Sequence, residues 1–121
     1  MMQPIFLVMT GGALGAAARY LAANAFGLRG DWPMGTFLVN LLGGLLMGVL
    51  AAFVLRGSAS EGVRLFVGVG ILGGFTTFSA FSLEGFNMIA RGQWALAIGY
   101  ALASVTGSIL ALAIGYGVAR A

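Results

Sequence analysis

Cysteine, histidine and lysine are all missing from this chain of 121 residues. Without cysteine there is no disulfide and no thiolate metal site. Without histidine and lysine, the commonest general base, the imidazole metal ligand and the Schiff-base amine are gone too. The only acids are Asp31, Glu61 and Glu84. A chain so short of titratable groups is not expected to be an enzyme. Charge is scarce overall, at 7% of residues, against roughly 25% in an ordinary soluble domain. The net charge of +3 comes from six dispersed arginines, which form no basic face, so no nucleic-acid partner is expected.

What fills the space is apolar. Hydrophobic residues make up 60% of the chain and the mean hydropathy is +1.03. Apolar runs cover about 5–26, 34–55, 64–90 and 94–119, each as long as the ~20 residues needed to cross ~30 Å of hydrocarbon. The reading is an all-α integral membrane protein, a single four-helix unit over 1–121 in the lipid bilayer. Short connections with turn residues, Gly27 to Pro33, Arg56 to Gly62 and Arg91-Gly92, leave no linker between domains. Ala16-Ala17-Ala18 could be read as a signal cleavage site, but no basic residue precedes the run, so it is expected to stay as a first helix.

Threading the four spans puts Arg56, Arg64 and Arg120 on the side of the N-terminus, and Arg29, Arg91 and Arg19 on the other. With three arginines on each side, the positive-inside rule has no bias to act on. Dual insertion is one outcome, with an antiparallel homodimer as its simplest product; orientation by other features is the alternative.

Glycine occurs 21 times. Small residues let helices approach closely in lipid, where no hydrophobic force joins them. Gly11 and Gly15 are four apart, as are Gly44 and Gly48, and Gly99, Ala103, Gly107, Ala111 and Gly115 form a stripe on the last helix. This stripe is expected to be a contact face. Beside it Tyr100, Ser104 and Ser108 set hydroxyls in a row, and Thr36, Asn40 and Gly44 repeat the four-residue spacing on the second helix. Interhelical hydrogen bonding would account for any one of these polar residues; the row points to a polar track.

The stretch GGFTTFSAFSLE, Gly73 to Glu84, interrupts the third span. Paired glycines followed by hydroxyl residues suited to an N-cap predict a helix that stops near Gly73 and restarts near Thr77 or Phe78. Such a break frees carbonyls at one end and N–H groups at the other, and it survives in hydrocarbon only where it faces protein, water or an ion. Carbonyl oxygens without a carboxylate suit a monovalent cation. Phe78 and Phe81 share a face just beyond, and ring edges attract small anions weakly. Glu84 falls close to the membrane interface, where a carboxylate is tolerated.

Together, GGALGAAARY at Gly11 to Tyr20, GTFLVNLLGG at Gly35 to Gly44, the central GGFTTFS and the hydroxyl row resemble the Fluc (CrcB) family of small bacterial fluoride channels. The resemblance covers nearly the whole chain. It implies an antiparallel, dual-topology homodimer of four-helix subunits in the bacterial inner membrane, passing fluoride passively and conferring fluoride resistance. It further implies a sodium ion at the dimer centre, held by the backbone carbonyls of Gly73 and Thr76. The fluoride pathway would use Asn40, Phe78, Ser79, Phe81, Tyr100, Ser104 and Ser108, with Arg19 at a vestibule and Glu84 at a pathway end. Ala80 departs from the family, whose members often carry another hydroxyl there. The competing class is a proton-coupled small multidrug exporter, which needs a titratable carboxylate deep in the membrane; the first two spans have none.

Overall fold

Hydrocarbon offers peptide groups no partner, so a chain this apolar must satisfy them within helices. In the computed structural model, which describes residues 3–121, it does so almost throughout. The elements are α1 (Pro4–Phe26), α2 (Met34–Leu55), α3 (Glu61–Val63), a π-helix (Arg64–Leu72), α4 (Gly73–Phe75), α5 (Phe78–Ala90) and α6 (Trp94–Arg120). Among the described residues four spans are long and apolar enough to cross a membrane: α1, α2, the 30-residue stretch Glu61–Ala90, and α6.

Local chemistry sets the ends. Pro4 opens α1 where its missing N–H costs nothing. Gly27, at φ +60°, closes it with a 2.8 Å bond to the Ala23 carbonyl. The Ser60 hydroxyl accepts from the Val63 N–H and opens α3. At the end of α2, Arg56 Nη1 donates to the Ala119 carbonyl at 2.8 Å, which ties that end to the last turn of α6 and places both on one side of the bilayer.

Large apolar side chains such as Leu21, Leu102 and Val118 point outward, as suits helices solvated by lipid. Where helices meet, glycine lets them. A Cβ on Gly48 would stand 2.0 Å from the Leu112 carbonyl oxygen, and one on Gly115 would stand 2.1 Å from that of Leu45, so α2 and α6 touch backbone to backbone. Gly11 and Gly15 do the same for α1 against the π-helix, at 2.3 Å from Phe66 O and 2.0 Å from Ile71 O. The stripe on α6 is therefore a contact face over part of its length only. Gly107 meets Leu41 and Gly115 meets α2 backbone, but Gly99 has nothing within 4 Å. In that half the neighbours of α6 are bulky: Met88, Trp32 and Phe81 around the fully buried Tyr100.

The π-helix runs for nine residues, longer than the single-turn bulges in which this winding usually occurs. Its buried Gly68 and Gly70 carry no side chain to crowd the wide turn, and Leu50 packs over Gly68. Beyond it, Gly73 and Gly74 are helical rather than unwound. Gly74 is needed for closeness: a Cβ there would lie 2.6 Å from the Gly12 carbonyl oxygen of α1. The extended residues come later, Thr76 at φ −85°, ψ 157° and Thr77 at φ −149°, ψ 121°.

Candidate functional site

Two extended residues inside a span create a supply of unpaired backbone groups, and their partners define the site. Asn40 on α2 takes both sides of Thr77: its Oδ1 accepts from the Thr77 N–H at 2.8 Å, and its Nδ2 donates to the Thr77 carbonyl at 3.0 Å. The Thr77 hydroxyl accepts from the Ala80 N–H at 3.1 Å and starts α5. Arg19 Nε of α1 donates to the Gly74 carbonyl at 3.0 Å, a cation at the end of α4 where the helix dipole favours one. The Thr76 hydroxyl donates back to the Leu72 carbonyl at 2.9 Å.

Three carbonyls remain, those of Gly73, Phe75 and Thr76; Phe75 O loses its helical partner, the Ser79 N–H, across the break. Gly73 O would take its helical bond from Thr77 N–H, which is committed to Asn40, and Thr76 O would take one from Ala80 N–H, which is committed to the Thr77 hydroxyl. Gly73 is exposed at the surface of the chain. Among the described residues no group of three or more acidic, histidine or cysteine side chains could hold a metal ion. The donor set on offer is thus hard, neutral carbonyl oxygen, which fits a monovalent cation.

Beside this joint lies a cavity of about 420 Å³, open on one side of the chain. Asn40, Phe78, Phe81, Ser104 and Ser108 share its wall with Thr76, Thr77 and a rim of Met47, Val105, Ile109 and Leu112, and no residue of the wall carries a charge. Ser104 Oγ is buried there without a hydrogen-bond partner. An amide nitrogen carries two donors, so Asn40 keeps one N–H after bonding Thr77. Phe78 is 77% exposed and leans on Phe81, ring centroids 5.5 Å apart. A second cavity of about 520 Å³, between Phe26, Leu42, Phe75 and Ile114, is lined by apolar side chains alone and offers an ion no side-chain donor.

The remaining candidate residues lie off the wall. Tyr100 is completely buried behind Phe81, 5.1 Å between ring centroids, and its hydroxyl donates to Glu84 Oε1 at 2.9 Å. Glu84 Oε2 accepts from the Thr36 hydroxyl at 2.8 Å, so the carboxylate joins α2, α5 and α6 one layer behind the rings. Ser79 is exposed, with Oγ 3.3 Å from that of Thr77. Reading the sequence misses Thr36 as the partner of Glu84 and Gly43 as the seat of the Thr76 methyl, where a Cβ would come within 2.2 Å of Cγ2. The four-residue spacing of Thr36 and Asn40 puts both on one face of α2 but does not name Glu84 as a partner.

The wall chemistry and the sequence meet in known proteins. Residues 6–116 match the family model described as CrcB-like protein, Camphor Resistance (CrcB). The chain is 53% identical to the fluoride-specific ion channel FluC of a Caulobacter species, an alignment covering 98% of this chain and 96% of that protein. It is 48% identical to the protein of the same name from Mesorhizobium japonicum, over 96% of this chain and 95% of the other. The corresponding protein of Chloroflexus aurantiacus is 45% identical, over 98% and 97%.

Proposed function

The chain belongs to the CrcB-like family, and from that premise we propose how its open cavity works. The protein is a fluoride ion channel, not an enzyme, in a bacterial membrane that it crosses with four apolar helices. Ser104 carries the reading: a hydroxyl buried without a partner, on an uncharged wall also lined by an amide and two phenyl rings, is a donor waiting for an acceptor.

Fluoride is small and strongly hydrated, and removing its water uncompensated costs tens of kcal/mol by a Born estimate. The free N–H of Asn40 and the hydroxyls of Ser104 and Ser108 replace part of that shell, with the ring edges of Phe78 and Phe81 supplying weak positive potential. A larger halide fits the narrow passage less well. Since no fixed cation stands on the wall, binding stays weak enough for the ion to leave. Glu84, held between Thr36 and Tyr100, sits at the end of the track, and Ser79 and Arg19 flank the joint. Nothing in the chain couples transport to an energy source, so export follows the electrochemical gradient and fluoride resistance follows from it.

The cavity lacks one wall, and Phe78 and Gly73 are exposed beside it. A second copy inserted the opposite way would close it, which the even division of the arginines across the membrane permits. In that antiparallel homodimer the Thr76–Thr77 joints meet on the two-fold axis, and the carbonyls of Gly73 and Thr76 from both copies would hold sodium, whose charge would offset the aligned carbonyl dipoles. A proton-coupled multidrug exporter finds no support: Glu84, the acid nearest the cavity, is occupied by two hydroxyl donors. The test is efflux from liposomes read with ion-selective electrodes. Fluoride should leave far faster than chloride, and equal rates would reject the channel reading.

A further inference from the structure

Trp32 lies outside the span pattern, in the connection between α1 and α2, yet the structure fixes it firmly. The Arg29 N–H donates to the Trp32 carbonyl at 2.8 Å and the Trp32 N–H to the Arg29 carbonyl at 3.0 Å, closing a two-residue turn over Gly30 (φ +61°) and Asp31. Gln93 Nε2, just ahead of α6, donates to Asp31 Oδ2 at 2.8 Å, and Arg91 Nε donates to Gln93 Oε1 at 3.0 Å. The turn is therefore pinned across to the connection between α5 and α6.

The indole that this turn delivers stands perpendicular to the Tyr100 ring, 83° between planes and 5.2 Å between centroids, and meets Phe37 similarly at 78° and 5.3 Å. Phe81 lies 5.1 Å from the same Tyr100 ring. Tyr100 is thus clamped between an aromatic of the loop and an aromatic of the pathway, with its hydroxyl bonded to Glu84. A phenol hydroxyl moves with its ring, so whatever fixes the ring fixes the bond to the carboxylate.

We propose that Trp32 is a positioning residue for fluoride conduction: its indole, pinned by the Arg29–Trp32 turn, holds Tyr100 so that the hydroxyl keeps Glu84 in place at the pathway end. This rests on the channel reading above. Trp32 touches no ion in this scheme; it acts through Tyr100.

The experiment is a double-mutant cycle on fluoride efflux from liposomes, with helical circular dichroism recorded for each variant. Trp32→Leu, which keeps apolar volume without a ring, should lower efflux about five- to tenfold, the scale of one aromatic pair, while Trp32→Phe should keep most of it. In a Tyr100→Phe background, where the hydroxyl is already gone, Trp32→Leu should lower efflux no further, because the two changes remove one and the same interaction. Equal multiplicative losses in both backgrounds would reduce Trp32 to ordinary packing and overturn the proposal, as would wild-type efflux in Trp32→Leu. If Trp32→Leu fails to fold, the same cycle run with Trp32→Met, which also lacks a ring, decides by the same criterion. A wild-type chain that released no fluoride would instead overturn the channel reading itself.

Discussion

Replacing Gly43 with alanine would strike the joint without removing any polar group. Gly43 is buried on α2, and a Cβ there would stand 2.2 Å from the Thr76 Cγ2 methyl. Ordinary contact begins at 3.4 Å, so the methyl must retreat by at least 1.2 Å. It has little freedom to do so. Threonine is β-branched and stiff at χ1, and turning the methyl away turns the hydroxyl away from the Leu72 carbonyl that it now bonds at 2.9 Å. Losing that bond costs roughly 0.5–1.5 kcal/mol; moving the backbone instead is overpacking, at about 1–3 kcal/mol. Either route disturbs Thr76 and the adjacent Thr77 clasp, so the cost falls on the conducting arrangement. At ~1.4 kcal/mol per decade, fluoride efflux should drop by about twofold at the least and about a hundredfold at the most. Gly117→Ala is the control, since nothing lies within 4 Å of a Cβ there. Liposome efflux and thermal unfolding in detergent read the two outcomes. A Gly43→Ala protein with wild-type efflux and unfolding temperature would refute the claim that α2 holds the joint by steric fit.

Ser104→Ala separates conduction from stability. An unpartnered buried hydroxyl costs about 1–3 kcal/mol, so its removal should leave the unfolding temperature unchanged or higher while efflux falls; a fall in both would mean that the hydroxyl is structural. Phe81→Ile keeps apolar bulk but removes the ring edge and a Tyr100 pairing worth about 0.5–1.5 kcal/mol, so efflux should be suppressed while the protein stays folded on gel filtration. If the carbonyls of Gly73 and Thr76 hold sodium, transfer to sodium-free buffer should lower the unfolding temperature, and restoring the ion should recover it by mass action. An unfolding temperature indifferent to sodium would sink that assignment.

The hydropathy runs carry most of the helical layout, because burial in lipid leaves so little choice of residue; Met34–Leu55 and Trp94–Arg120 begin where the apolar runs do. The third span starts earlier than its apolar run, at Glu61, since the Ser60 cap and the Glu61–Arg64 pair lie in polar residues that hydropathy excludes. The glycines at 73 and 74 invite a local reading, as conformationally free residues, yet Gly74 answers to a long-range demand from α1. Asn40 was legible as a polar residue facing something, but not as the clasp of Thr77, a contact 37 residues away. The Thr36–Glu84 bond, between residues 48 apart, leaves no periodic trace. Nor does π winding, which has no residue signature of its own.

That winding has one consequence for length. Each π hydrogen bond reaches one residue further than its α counterpart, so Arg64–Leu72 holds more chain per turn than its neighbours. Dropping a residue ahead of Phe66, where the contacts with Gly11 begin, should rewind a turn as α and leave Phe66, Ile71, Phe75 and Thr77 where they were. The same deletion in α2 ahead of Asn40 would swing every later side chain by about 100°, carrying Asn40 away from Thr77. The stretch runs inward from the start of the third span, so its extra chain is an expansion joint lying between the membrane surface and the Thr76–Thr77 joint.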